Sequence, residues 1–227
     1  MLKKTHLVFS LFCLFGIPLF GQTNALQIAR GAENQLSSLL NKPAMVTPPL
    51  TAPLAGKGKW YNLELDSHIF TDQASFKQIV DVLYNLEKQN QVFDGKKSKM
   101  NGTVVSRSGN ETIMDFVSTA FGPLNIRVKT SYRASVRFLQ NTDTKFSSEI
   151  RQLPDDSESN KDIKNLITSR YAEEVTINGK KYTYIRIYSR DEVNTSILPN
   201  AENLLKNNSG PANEEALLLI IEAAKKR

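Results

Sequence analysis

The chain is poor in the residues that most enzymes use to do chemistry. It has one cysteine, Cys13, and two histidines, His6 and His68, in 227 residues. Cys13 and His6 fall in an N-terminal segment that reads as a removable leader, which leaves His68 alone. A chain without cysteine forms no disulfide, offers no thiolate nucleophile and ligates no metal through sulfur. With a single histidine it lacks the parts of a hydrolytic triad or a zinc site. No catalytic residue set, metal or cofactor is therefore assigned. Long apolar runs are also missing. The longest apolar run, Leu7–Phe20, has 14 residues, and a spanning helix needs about 20.

That stretch follows Lys3 and Lys4 and precedes the small residues Gly21 and Ala25. The order is that of a secretory signal, so residues 1–25 are expected to be removed, with cleavage after Gly21 or Ala25, and the protein to be exported to the periplasm or medium. Phe12 before Cys13 is too large for a lipoprotein site. Without Lys3 and Lys4 the 29 basic residues fall to 27, against 23 acidic ones. A net charge of +4 does not call for nucleic acid; weak association with an anionic membrane surface is the most it supports.

Residues 26–59 read as an N-terminal extension. A short helix is expected within Ala25–Leu40, and Pro43, Pro48, Pro49 and Pro53 mark an extended linker. The domain is expected from Trp60 to Arg227. Trp60–Ile69 alternates as a strand. Thr71 and Asp72 offer a cap for a helix with Phe76, Ile79, Val80, Leu83 and Leu86 on one stripe, running to about Asn90.

A meander follows, with strands at Lys99–Arg107, Thr112–Phe121, Ile126–Leu139 and Thr144–Leu153. Pro154–Lys164, carrying Asp155, Asp156 and Glu158, reads as an acidic loop. Asn178-Gly179 between two β-rich runs predicts a two-residue hairpin. Ser196–Asn207 reads as helical and is stopped by Asn208-Ser209-Gly210. Asn213 caps a last, mostly apolar helix to Arg227.

The longest of these strands is two-faced. Val128, Thr130, Tyr132, Ala134, Val136 and Phe138 lie on one parity, and Arg127, Lys129, Arg133 and Arg137 on the other. The fold class is therefore α+β, a curved antiparallel sheet of about six to seven strands gripping a C-terminal helix. In this order of elements Trp60–Arg227 resembles the START-like helix-grip superfamily, of the polyketide-cyclase and lipid-transfer type. The resemblance rests on the first strand with the Phe76–Leu86 helix, the sheet from Met100 to Tyr188, and the closing helix Asn213–Arg227. That helix, at about 14 residues, is shorter than the superfamily's usual one. A lipocalin-like barrel fits less well, because such barrels run strand to strand without the early helix.

The resemblance implies an apolar or lipid-like small molecule held between sheet and last helix. The residues expected to line it are Val128, Thr130, Tyr132, Ala134, Val136, Tyr182, Tyr184, Arg186, Leu217 and Ile221, mostly apolar with a few convergent polar groups. Two alternatives stand beside this. A cyclase- or hydratase-like enzyme would use Asp115 and Arg186 first. An envelope interaction protein would use the basic stripe with Arg133 and Arg137. His68, on the polar parity of its strand, reads as exposed or capping.

Overall fold

In the computed structural model the described residues are 33–55, 59–121, 127–154, 163–195 and 201–227. The leader and the acidic run Asp155–Glu158 lie outside them. Six strands form the expected meander: β3 (Ser98–Ser108), β4 (Glu111–Phe121), β5 (Arg127–Asn141), β6 (Lys145–Gln152), β7 (Ile163–Ile177) and β8 (Lys180–Asn194). The β7–β8 hairpin turns on Asn178 and Gly179 at φ 52° and 78°. Both central residues of this turn type need positive φ, which asparagine and glycine tolerate.

The strand β2 (Trp60–Thr71) lies antiparallel along β8, in unbroken register from Trp60↔Asn194 to Thr71↔Thr183. An eighth strand, β1 (Ala44–Pro53), lies outside β2, so the sheet order is β1-β2-β8-β7-β6-β5-β4-β3. The stretch read as a linker thus supplies an edge strand. Prolines survive there because an edge strand has one side that donates to no neighbour, and Pro48 and Pro49 fall in the register shift between Thr47 and Leu50. Just before it, Leu40 bridges to Phe70, and Asn41 bonds Thr71 and Asp72 through its side chain.

Helices α2 (Phe76–Tyr84) and α4 (Ala201–Lys225) pack on one face of the sheet, with the short α3 (Gln89–Val92) between α2 and β3. Ser75, not Thr71 or Asp72, caps α2, in a reciprocal capping box with Gln78. Of the expected stripe Phe76, Ile79 and Leu83 are buried and Val80 only partly so, while Val82, outside the expected stripe, is buried with them and Leu86 lies beyond the end of α2. Phe76, Ile79, Val82 and Leu83 meet Leu217, Ile220, Ile221 and Ala224 of α4 over Ile69, Phe146, Ala172, Ile185 and Ile187 of the sheet. Helical structure after α2 continues in a 3-10 turn at Leu86–Lys88 before α3.

The last helix differs from its expected form. Asn208-Ser209-Gly210 does not stop it, and α4 runs 25 residues with Pro211 inside. The reason is tertiary. Gly210 is buried against β1, where an added Cβ would lie 3.1 Å from Pro49 Cγ and 3.6 Å from Met45. The missing side chain lets helix and edge strand approach, and that packing outweighs a weak local helix preference. Two side chains then fix the helix. Asn213 Nδ2 donates to Ser67 Oγ (2.8 Å) and to the Ile187 carbonyl (3.4 Å). The Glu215 carboxylate accepts from the backbone N–H of Lys96 (3.0 Å) and Lys97 (2.8 Å).

If α4 is gripped in this way, truncating Leu217 will be costly and truncating its neighbour Leu218 will not. Leu217 is fully buried and Leu218 is 40% exposed. Leu217→Ala is expected to cost about 2–5 kcal/mol in urea unfolding and Leu218→Ala less than about 1 kcal/mol.

Candidate ligand-binding site

The face of the sheet beneath α2 and α4 carries two apolar clusters. One is the helix-packed cluster just described. The other extends along the strands and contains Leu86, Met114, Phe116, Tyr132, Ala134, Val136, Ile150 and Leu166. Phe116 and Tyr132 stack with ring centroids 5.3 Å apart. Of the expected lining residues, Tyr132, Ala134, Val136, Leu217 and Ile221 are buried on this face, and Thr130 is half-buried on the same parity. Val128 pairs with Ala120 in the ladder.

The structure parts the remaining three from this set. Strand alternation sends Ile185 and Ile187 to α4, so Tyr182, Tyr184 and Arg186 point out of the opposite face. There Tyr184 packs with Leu39, Phe70, Tyr171 and Ile177, beneath the N-terminal helix α1 (Leu36–Leu39), and Tyr182 joins from the margin. Arg186 donates to both carboxylate oxygens of Asp66, from Nε at 2.7 Å and from Nη2. Burial opposes its charge, but the bond to Asp66 more than compensates and raises its pKa. His68 is buried here too, not exposed, with Nδ1 3.3 Å from the Tyr184 hydroxyl. Burial lowers its pKa, against the charge of Asp66, and favours the neutral ring. These residues belong to a second buried cluster outside the sheet.

Two of the four residues of the basic stripe, Arg133 and Arg137, are held in ion pairs. Arg133 makes a two-pronged pair with Asp115 at 2.6 and 2.9 Å. Arg137 pairs with Glu111 at 2.8 Å, and Ser135 bonds the same carboxylate. Asp115, the first candidate for catalysis, therefore faces away from the helices.

The polar groups that do lie under the helices are ones the sequence reading passed over. Arg170 shares the parity of Ala172 and is 3% exposed. Its Nη1 donates to Gln89 Oε1 at 3.1 Å, and its guanidinium lies 5.4 Å from the centre of the Phe93 ring. Gln89 is itself buried and anchored, its Nε2 donating to the Leu83 carbonyl at 3.3 Å. Burial pulls the Arg170 pKa down to about 10. Ser148 stands opposite Arg170 in the β6–β7 register, and its Oγ is buried with no hydrogen-bond partner.

Four residues beyond Ile187 on the same parity of β8 is Asp191, opposite Leu63. The residue keeps some surface, but its Oδ1 is buried and unpartnered. Burial alone pushes this carboxyl up to about 7. Tyr132 feels the charges of both Arg170 and Asp191, and its own burial pushes the phenol pKa up, so it stays a neutral donor. Among the described residues the interior is thus apolar, with one cation, one near-neutral acid and a phenol. Such a surface can hold and orient an amphipathic molecule. A signal for it existed: Arg170 and Asp191 are charges on the inward parity of two strands.

A curved antiparallel sheet closed by a long C-terminal helix, with a second helix after the first long strand, is the START-like helix-grip fold. The fold is shared with several solved structures at low identity. TTHA0849 from Thermus thermophilus is 13% identical over 71% of this chain and 96% of its own, with a TM-score of 0.52. Human StAR-related lipid transfer protein 5 is 8% identical over 90% and 98%, with a TM-score of 0.51. The lipid transfer and protein localization domain of human StarD13 (DLC2) is 6% identical over 88% and 95%, with a TM-score of 0.51. No protein-family model matches the chain, and no curated protein does. At such identities the likeness carries the architecture and leaves function to the residues.

The buried acid gives a pH-dependent prediction. An unfolded aspartate titrates near 3.9, whereas Asp191 titrates near 7 in the fold. Between those values the folded chain holds more protons, so this residue's contribution to stability falls as pH rises from about 4 through about 7. Asp191→Asn is expected to stabilise the fold on the order of 1–3 kcal/mol at pH 8 and to change little at pH 4. Urea midpoints at the two pH values measure this; an equal change at both would contradict a buried, strained carboxyl.

Proposed function

We propose that this chain is an exported binding or carrier protein for an apolar or amphipathic small molecule held between the sheet and α4. One observation carries the reading. The helix-covered face holds Arg170, Asp191 and Ser148 among apolar residues, with polar atoms on Asp191 and Ser148 that no group among the described residues satisfies. A core built only for stability pairs or omits such groups. The START-like fold, which the lipid transfer domains named above share, supports the same direction. Affinity would come from burying apolar ligand surface at roughly 25 cal/mol per Å², with the interior polar groups setting orientation.

The alternative readings keep less support. The catalytic candidates Asp115 and Arg186 are held in ion pairs on the other face. In the basic stripe of β5, Arg133 and Arg137 are matched by Asp115 and Glu111, which weakens it as a docking surface for anionic membranes.

Denaturing the purified protein and extracting it with organic solvent is expected to release a lipid-like molecule detectable by mass spectrometry. The emptied protein is expected to take up an apolar fluorescent probe. The absence of both release and uptake would contradict binding. Export has its own test: the intact mass of protein from the producing cell should correspond to a chain starting at Gln22 or Leu26, and a full-length chain confined to the cytosol would contradict it.

A further inference from the structure

We propose that the molecule held between sheet and α4 carries an acidic head group, a carboxylate or a phosphate, that pairs with Arg170. This rests on the binding reading above and names the ligand class for the same interior.

Among the described residues two arginines are buried, and they show what each environment supplies. On the outer face Arg186 receives a two-pronged carboxylate from Asp66. Arg170, at least as deeply buried, receives a neutral amide oxygen from Gln89 and the face of Phe93. Among the described residues no carboxylate pairs with it. Asp191 does not serve: it lies four residues further along the neighbouring strand, about 13 Å away at ~3.3 Å per residue. A buried cation without a counter-charge costs several kcal/mol, and proteins keep such groups where something else supplies the charge.

The surroundings of Arg170 suit an oxyanion. Gln89 is anchored to the Leu83 carbonyl, so its Oε1 holds one Nη of the guanidinium in place. The remaining N–H groups of a guanidinium are arranged to meet two oxygens of one carboxylate or phosphate. The unpartnered Ser148 hydroxyl, directly across the β6–β7 register, adds a further donor. Beyond it Ala134, Ile150 and Leu166 continue the same face as apolar surface, the surface an apolar tail would lie against.

The test compares three ligands with one tail on the full chain, stripped of bound lipid at pH 7.5: oleate, oleoyl lysophosphatidate and oleyl alcohol. Displacement of an apolar fluorescent probe gives each Kd. At least one of the two acids is expected to bind about tenfold or more tightly than the alcohol. Tighter oleate assigns a free fatty acid, and tighter lysophosphatidate a phospholipid head group. Arg170→Gln is expected to abolish the preference and leave the alcohol within about threefold of wild type, and Ser148→Ala to weaken the preferred acid alone.

Alcohol binding as tight as both acids would overturn the Arg170 pairing and leave the apolar reading standing. A preference that survives in Arg170→Gln would also overturn it. Binding of none of the three would remove both readings. The wild-type comparison decides the matter even if Arg170→Gln does not fold.

Discussion

The pairing of β2 with β8 organises the molecule. It is the contact by which the first long strand of the domain reaches the end of the meander, through twelve consecutive residue pairs from Trp60↔Asn194 to Thr71↔Thr183. That contact places Ser67 and Ile187 side by side, and Asn213 of α4 bonds to both. It also puts β1 at the sheet edge, against which Gly210 lets α4 pass. Without it there would be no common face for α2 and α4 to cover, and the apolar residues of β4 to β7 would lie open.

The two faces of the finished sheet treat polarity differently. The outer face satisfies its charges within the protein: Arg186 with Asp66, Arg133 with Asp115, Arg137 with Glu111. Arg186 still leaves Nη1 buried without a partner, so even there the matching is incomplete. Among the described residues the inner face leaves a cation without a counter-charge and an acid with Oδ1 buried and unpartnered, separated along the strands. Buried charges are costly enough that such a contrast is informative about what each surface is for.

The architecture could be read from the chain because its signals are local and periodic. Alternation in Ile126–Phe138 and the positive-φ pair Asn178-Gly179 correspond to β5 and the β7–β8 turn with little error. Where local chemistry was overruled by packing, the reading failed. The prolines of β1 look like a linker until an edge is available to hold them. Asn208 to Pro211 looks like a helix stop until β1 packs against Gly210. The site was harder still. Both faces of β8 are buried, so Tyr184 and Ile185 gave no indication of which parity meets the helix. Around Arg170 the inward parity reads Leu166, Thr168, Arg170, Ala172, too mixed to register as a core face. Gln89 belongs to the site only because the short α3 brings it over β7.

The central claim is that a ligand body occupies the space between sheet and α4. Methyl NMR of the emptied chain, titrated with an apolar probe, examines that space directly. Ile150, Leu166 and Leu217 report on the inner face, and Leu39 and Ile177 on the outer one. Occupancy predicts shifts and probe contacts at the first three with the last two unchanged. Shifts at Leu39 and Ile177 alone, or none at any of the five at saturating probe, would contradict it.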